Sequence, residues 1–280
     1  MLKRLATWWT VFRISLQERL VYRGDFALGT LMRFLPIVTQ IFLWWAIFSS
    51  LNDGSDGPAR DIAGWTYHNF VAYYLLTMVS RAFSSMPGLA SGIALQIREG
   101  EIKKYLIQPV DPVGFLLLGR VAHKLAYYTV AAAPFALVFF LCRDYFAGWP
   151  DPTTMCAYIA SLMMAFLLGY FLEATIGMIG FWFLEVSSLL FVYMLFNFFL
   201  SGHMFPIDML ESLGGPWATI VRCLPFQYLA YFPTAVFLKK VEGWDLVWGL
   251  ALQALWVCVF IMASRAAWHF GTRRYSGYGG

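Results

Sequence analysis

Apolar residues gather in six long runs along the chain, at 27–51, 65–87, 114–141, 154–182, 186–204 and 244–268. Each approaches or exceeds the ~20 mostly apolar residues that a helix needs to cross a hydrocarbon core. The short alternating segments of a membrane β-barrel do not occur. The pattern predicts an all-α polytopic membrane protein with six transmembrane helices. Ahead of the first run the periodicity changes. Leu2, Leu5, Trp9, Phe12, Leu16 and Leu20 fall on one helical face, and Lys3, Arg4, Thr7, Thr10, Arg13, Gln17 and Glu18 on the other. A helix of that kind lies in the membrane interface. It lacks the compact apolar region and small-residue cleavage site of a signal peptide. The predicted organisation is an interfacial amphipathic helix over 1–25 and a six-span domain over 26–280.

Composition supports this pattern. Of the 280 residues 60% are hydrophobic and 13% charged, against about 45–50% and 25% in soluble domains. Mean hydropathy is +0.63. Such a chain is neither disordered nor a disulfide-stapled secreted fold. The net charge of +4 is too small and too dispersed to argue for nucleic acid, but its distribution sets orientation. With the N-terminus inside, the inner segments hold Lys3, Arg4, Arg13, Arg19, Arg23, Arg98, Lys103, Lys104, Arg265, Arg273 and Arg274. The outer ones hold fewer, namely Arg60, Arg143, Arg222, Lys239 and Lys240, together with most of the acids. Both termini are therefore expected on the cytoplasmic side. Many tryptophans, including Trp44, Trp65, Trp149 and Trp244, fall near span ends, where aromatic belts belong.

Four cations, Arg33, Arg81, Arg120 and Lys124, lie within the runs, towards the inner half. Each would cost about 2.5–3.5 kcal/mol at a bilayer centre if left alone. Glu173 and Glu185 reach similar depth, so one reading is an ion or proton relay. The preferred one is an inner ion-pair belt of Arg81, Arg120, Lys124, Glu173 and Glu185, because no acid lies plainly at mid-membrane. Pro36 and Pro134 are expected to kink spans one and three, and Gly169, Gly177 and Gly180 to allow close helix approach.

Two connections are unusual. The inner one, SGIALQIREGEIKKYLIQPVDPVG at 91–114, is too charged to insert and too apolar for a flexible linker. Gly100 divides it, and Pro109 and Pro112 end it. It reads as a short rigid element that docks a partner protein or as a solvated interfacial helix. The outer one, 201–243, is strongly apolar, yet Pro206, Pro216, Pro225 and Pro233 cut it into pieces too short to cross. Re-entrant or interfacial half-helices are expected over 205–240.

The runs REGEIKKYLIQPVDPV (98–113), LSGHMFPIDM (200–209) and LPFQYLAYFP (224–233), in those topological places, resemble the ABC-2 type permease family, most of all a bacterial branch of it. The likeness extends over nearly the whole chain. It implies one half of a dimeric exporter, paired with a second copy or a different permease and driven by separate ABC ATPase subunits. Those subunits would bind ATP and Mg, and this chain no cofactor. The cargo of such permeases is a lipid, glycan, drug or peptide. The resemblance assigns ATPase coupling to 96–108, through Ile97, Arg98, Glu99, Glu101, Ile102, Lys103 and Lys104. The outer gate falls on Phe205, Pro206, Pro225, Phe226 and Pro233. It also implies the cytoplasmic (inner) membrane of a bacterium, with lipids as neighbours. One departure is Glu211, where relatives often carry a second proline.

The residues agree with that division of labour, since no G-x-x-x-x-G-K-[ST] occurs. No catalytic or metal site is expected. Ser201 and His203 are two residues apart and share no helical face, and His68, His123 and His269 have no orienting acid at useful spacing. Cys142, Cys156, Cys223 and Cys258 form no C-x-x-C pair. Cys142 and Cys156 flank one outer loop and either bridge or fill helix ends. A secondary transporter, a channel or an intramembrane enzyme are the alternatives, without a mid-membrane acid, an inverted repeat or a constellation to support them.

Overall fold

The computed structural model describes residues 2–21, 23–52, 61–108, 110–146, 148–183 and 185–275. These residues form eleven α-helices, linked in places by 3₁₀ turns. Helix α1 (Leu2–Val21) runs along α6 (Pro112–Leu141). Four helical stretches are long and apolar enough to cross a membrane. They are Phe34–Leu51 within α2 (Arg23–Asn52), α6, Pro152–Phe181 led by α7 (Pro152–Met178), and α11 (Gly243–Arg274). Two other expected spans fall outside that set, α3 by its polarity and α8 by its length. Helix α3 (Tyr67–Ser84) has 18 residues and carries His68, Asn69, six hydroxyl side chains along its length and Arg81. Helix α8 (Ser187–Leu200) is apolar but has only 14 residues.

Helix α3 can be polar because it is central and meets protein rather than lipid. Phe70 through Met78 are all buried. Its Thr77 and Ser80 hydroxyls meet Thr234 at 3.4 and 3.3 Å. Helix α7 is the other centre and packs on α3, on α4 (Leu89–Arg98), on α10 (Tyr231–Phe237) and on α11. Small residues make this close approach feasible. A Cβ on Gly169 would stand 2.1 Å from the Ser84 carbonyl oxygen, and one on Gly177 would stand 2.7 Å from that of Ala90. Between α7 and α11, Ser161 donates to Gln253 at 2.8 Å, and the Gln253 amide donates back to the Ser161 carbonyl at 2.9 Å. That buried pair satisfies its own polar groups.

The face of α1 that meets α6 differs in part from the periodicity. Trp8, Val11, Phe12, Ser15 and Leu16 are half-buried, whereas Trp9 and Leu20 are exposed. Trp8 displaces Trp9 because the α1 contact is with the start of α6, where its ring lies near Gly114. Pro36 and Pro134 sit inside continuous helices. All four cysteines are free thiols, so Cys142 and Cys156 are not bridged. Arg33 has no described side chain, and Pro109 lies outside the described residues.

Candidate functional site

At one end of the bundle, the chain leaves α3 and turns through α4 and α5 (Lys103–Leu106) into α6. Gly100 adopts φ of 80° between α4 and α5, a conformation that costs an L side chain about 1–2 kcal/mol. Below this turn lies an apolar cluster of Ile93, Ile97, Ile102, Tyr105 and Val113 with Tyr170, Phe171, Met178 and Phe181. The Tyr170 hydroxyl donates to the Val113 carbonyl at 2.5 Å. Asp111 caps α6 through the Gly114 amide at 2.8 Å and pairs with Arg265 of α11. The element is thus fixed to three helices.

This burial divides the residues assigned from sequence. Ile97 and Ile102 are only 5% and 1% exposed, so they anchor the element and cannot also meet a partner. Arg98, Glu99, Glu101, Lys103 and Lys104 are exposed. Beside them, within the same 96–108 element but outside the named contact residues, stand Leu106 at 47% and Ile107 at 85% exposure. Their signal was present, as apolar side chains two and three residues beyond the last lysine. Helical spacing alone did not separate them from Ile97 and Ile102. Glu101 and Lys104 pair at 3.1 Å. Arg98 reaches Glu185, just before α8, at 3.4 Å. The Ser187 hydroxyl and amide, helped by Arg98, hold the Glu185 carboxyl below its usual range.

The five residues expected to form one ion-pair belt take separate roles. Arg120 donates to the Pro87 carbonyl at 2.9 Å, and Lys124 donates to those of Ala82 and Ser85, the latter at 2.6 Å. Two cations one turn apart on α6 therefore cap the C-terminal carbonyls of α3 and the turn after it, where the helix dipole favours positive charge. Arg81 donates to the Asn197 side chain of α8 at 3.2 Å. Glu185 belongs to the Arg98 contact. Glu173 lies in the field of Arg120 and Arg81.

Glu173, Arg81, Asn197, Tyr193, Gln40 and His203 supply polar groups to a cavity of about 670 Å³ between α2, α3, α7 and α8. Its remaining walls are largely apolar. Helix α8 borders it loosely, with Asn197 its one buried residue among those described and Phe191, Met194 and Phe196 more than half exposed. The His203 Nδ1 and the Ser201 hydroxyl are both buried without a hydrogen-bond partner, so they are not bonded to each other.

The opposite end carries the proline-cut segment. It folds as a 3₁₀ turn (Ile207–Leu213), α9 (Trp217–Cys223), a second 3₁₀ turn (Pro225–Leu229) and α10. Asp208 is its hub, accepting from Tyr231 at 2.5 Å, Arg222 at 2.9 Å and the buried Trp65 indole at 3.2 Å. Arg222 also binds Glu211 at 2.5 Å, so Glu211 supports the turn. Tyr73 donates to the Gly202 carbonyl and Tyr74 to that of Met204 at 2.6 Å. Gly202 has φ of 77°, and a Cβ there would meet Tyr231 at 2.6 Å. Pro206, Pro225 and Pro233 are buried, and Phe205 and Phe226 half-buried, with the Phe226 ring 6.3 Å from Tyr193 of α8. Nearby, Lys239 pairs with Asp151 at 2.9 Å. The Thr153 hydroxyl, then Lys239 and Thr154, hold the Asp151 carboxyl well below the usual carboxylate range.

Removing the hub has a definite expected cost. Asp208→Ala strands three donors and should destabilise the chain by about 2–4 kcal/mol. Glu211→Ala, at an exposed pair, should cost less than about 1 kcal/mol. The fraction of detergent-solubilised protein that stays monodisperse after stepwise heating measures both.

The fold and these two ends define a multi-pass helical membrane protein with a rigid charged connection at one face and a proline-cut segment at the other. A family model described as ABC-2 family transporter protein matches residues 34–279. The chain belongs to the ABC-2 transporter family and is a membrane permease of that class, a transport component. No curated protein matches the chain.

Proposed function

We propose that the chain is the permease subunit of an ATP-driven exporter, with α2, α3, α6, α7, α8 and α11 as its six spans and both termini in the cytoplasm. The observation that carries this reading is the 96–108 element. Its apolar underside is locked into the core, and it presents Leu106 and Ile107 to solvent beside a rim of charges. A free-standing solvated loop has no need of that anchoring, and exposed apolar residues within a charged rim are how a docking face is built. ATP and Mg belong to the partner ATPase subunits that this face would meet.

The mechanical step runs through α8. Movement of the element pulls Glu185 through Arg98, and Asn197 is the second tie that holds α8 to the body, through Arg81. The exposed apolar face of α8, with α2 beside it, suits a second permease copy or a different permease. The cavity at their junction then becomes the path for cargo, with the 205–240 segment as a re-entrant gate on the outer side. Cargo is a lipid, glycan, drug or peptide moved outward across the bacterial inner membrane. The energy for rearrangement comes from the difference in ATPase contacts between two states.

Charge reversal tests the coupling. Glu101→Lys combined with Lys103→Glu and Lys104→Glu keeps the local Glu101–Lys104 attraction but inverts the rim. Transport-coupled ATPase activity should fall about tenfold, with insertion and thermal stability as in wild type. Unchanged coupling in that variant would remove the assignment.

A further inference from the structure

A second cavity, of about 580 Å³, lies away from α8 at the membrane face opposite the 96–108 element. Its walls come from four helices, with Val79 of α3, Ala136 and Phe139 of α6, Met155 and Tyr158 of α7 and Phe237 of α10. Among the described residues, Arg143, Tyr158 and Trp149 are the only side chains lining it that carry nitrogen or oxygen. A buried water needs two to four polar partners, and the interior supplies one hydroxyl. In a bilayer, walls of this kind are filled by hydrocarbon, since an unfilled apolar space forfeits its dispersion contacts.

The mouth identifies the rest of the ligand. Arg143 follows the last turn of α6 and stands over the Phe140 ring at 5.0 Å, with its side chain 66% exposed. Its carboxylate neighbour, Asp144, is 3.6 Å away and more exposed still, a pair worth little in solvent. Trp149, 87% exposed, stands at the same rim, as indoles do at headgroup depth. A guanidinium at that depth favours phosphate, which it can bind through two parallel hydrogen bonds. We infer that this cavity is a binding site for a phospholipid of the adjacent leaflet, with one acyl chain between α3, α6 and α7 and the phosphate on Arg143. It is a site separate from the cargo path.

Photolabelling of the full chain tests this. The protein is reconstituted in vesicles of phosphatidylethanolamine and phosphatidylglycerol containing a trace of phosphatidylglycerol with a diazirine midway along one acyl chain. After irradiation, adducts are expected on peptides containing Val79, Phe139 and Met155. Ala136→Trp fills the cavity from an exposed helix position and should lower them about tenfold, and Arg143→Gln about threefold. Ala133→Trp, the same change on α6 outside the cavity lining, should leave them unaltered. Adducts on the exposed Leu255 and Met262 of α11 serve as the lipid-facing control and should be equal in every variant. Labelling that spares the cavity peptides, or that persists in Ala136→Trp at wild-type level, overturns the site. Intersubunit cross-links from a photoreactive residue at Phe139, in place of lipid adducts, also overturn it by showing protein there.

Discussion

Lys124→Met is expected to destabilise the folded chain by about 3 kcal/mol. The ammonium is buried and satisfies the carbonyls of Ala82 and Ser85 at the end of α3. Methionine fills a similar volume but donates nothing. Each carbonyl left without a donor in a water-poor interior costs about 1–3 kcal/mol, offset in part by removing a buried charge. Lys124→Gln, which keeps an amide donor, should recover part of the loss. Unfolding titrations in mixed micelles with increasing denaturing detergent measure both variants against wild type. Equal midpoints for Lys124→Met and wild type would mean that the α3 terminus is satisfied by other means. In that case the lysine belongs to an ion relay rather than to the frame.

The second large effect is expected at the docking face. Leu106→Asp with Ile107→Asp places two carboxylates where two apolar side chains are exposed. Central apolar anchors of an interface are worth about 2 kcal/mol or more each, so ATPase affinity should fall by roughly a thousandfold. Because neither side chain supports the core, stability should be unchanged. Ile102→Asp should behave differently, since Ile102 is buried in the cluster under the turn, and should unfold the element instead. The pair of variants separates docking from folding.

Much of this arrangement was legible in the residues. Long apolar runs are governed by the length of a membrane crossing, a constraint local to the sequence, so α2, α6, α7 and α11 emerged where expected. The glycines of α7 carried a readable signal because only a missing Cβ lets two helices come this close. Long-range pairing was not readable in that way. The periodicity of 91–114 shows that Ile97, Ile102, Leu106 and Ile107 are apolar, but not which of them meets Tyr170 and Met178, residues far along the chain. The grouping of Arg120 and Lys124 with acids followed from depth alone. Both also donate to backbone carbonyls, which any sequence supplies at every position. Asp208 looked like one outer acid among many until folding brought Trp65, Arg222 and Tyr231 to it.

The central claim is that this permease receives its work from a separate ATPase through the element between α3 and α6. It is tested most directly by purifying the full chain from its native membranes in mild detergent and assaying the complex for ATP hydrolysis. A stable, stoichiometric complex with a P-loop ATPase is expected, whose hydrolysis copurifies with wild type and is lost with Leu106→Asp and Ile107→Asp. A chain that purifies without ATPase, or one that keeps it undiminished in that double variant, would contradict the account.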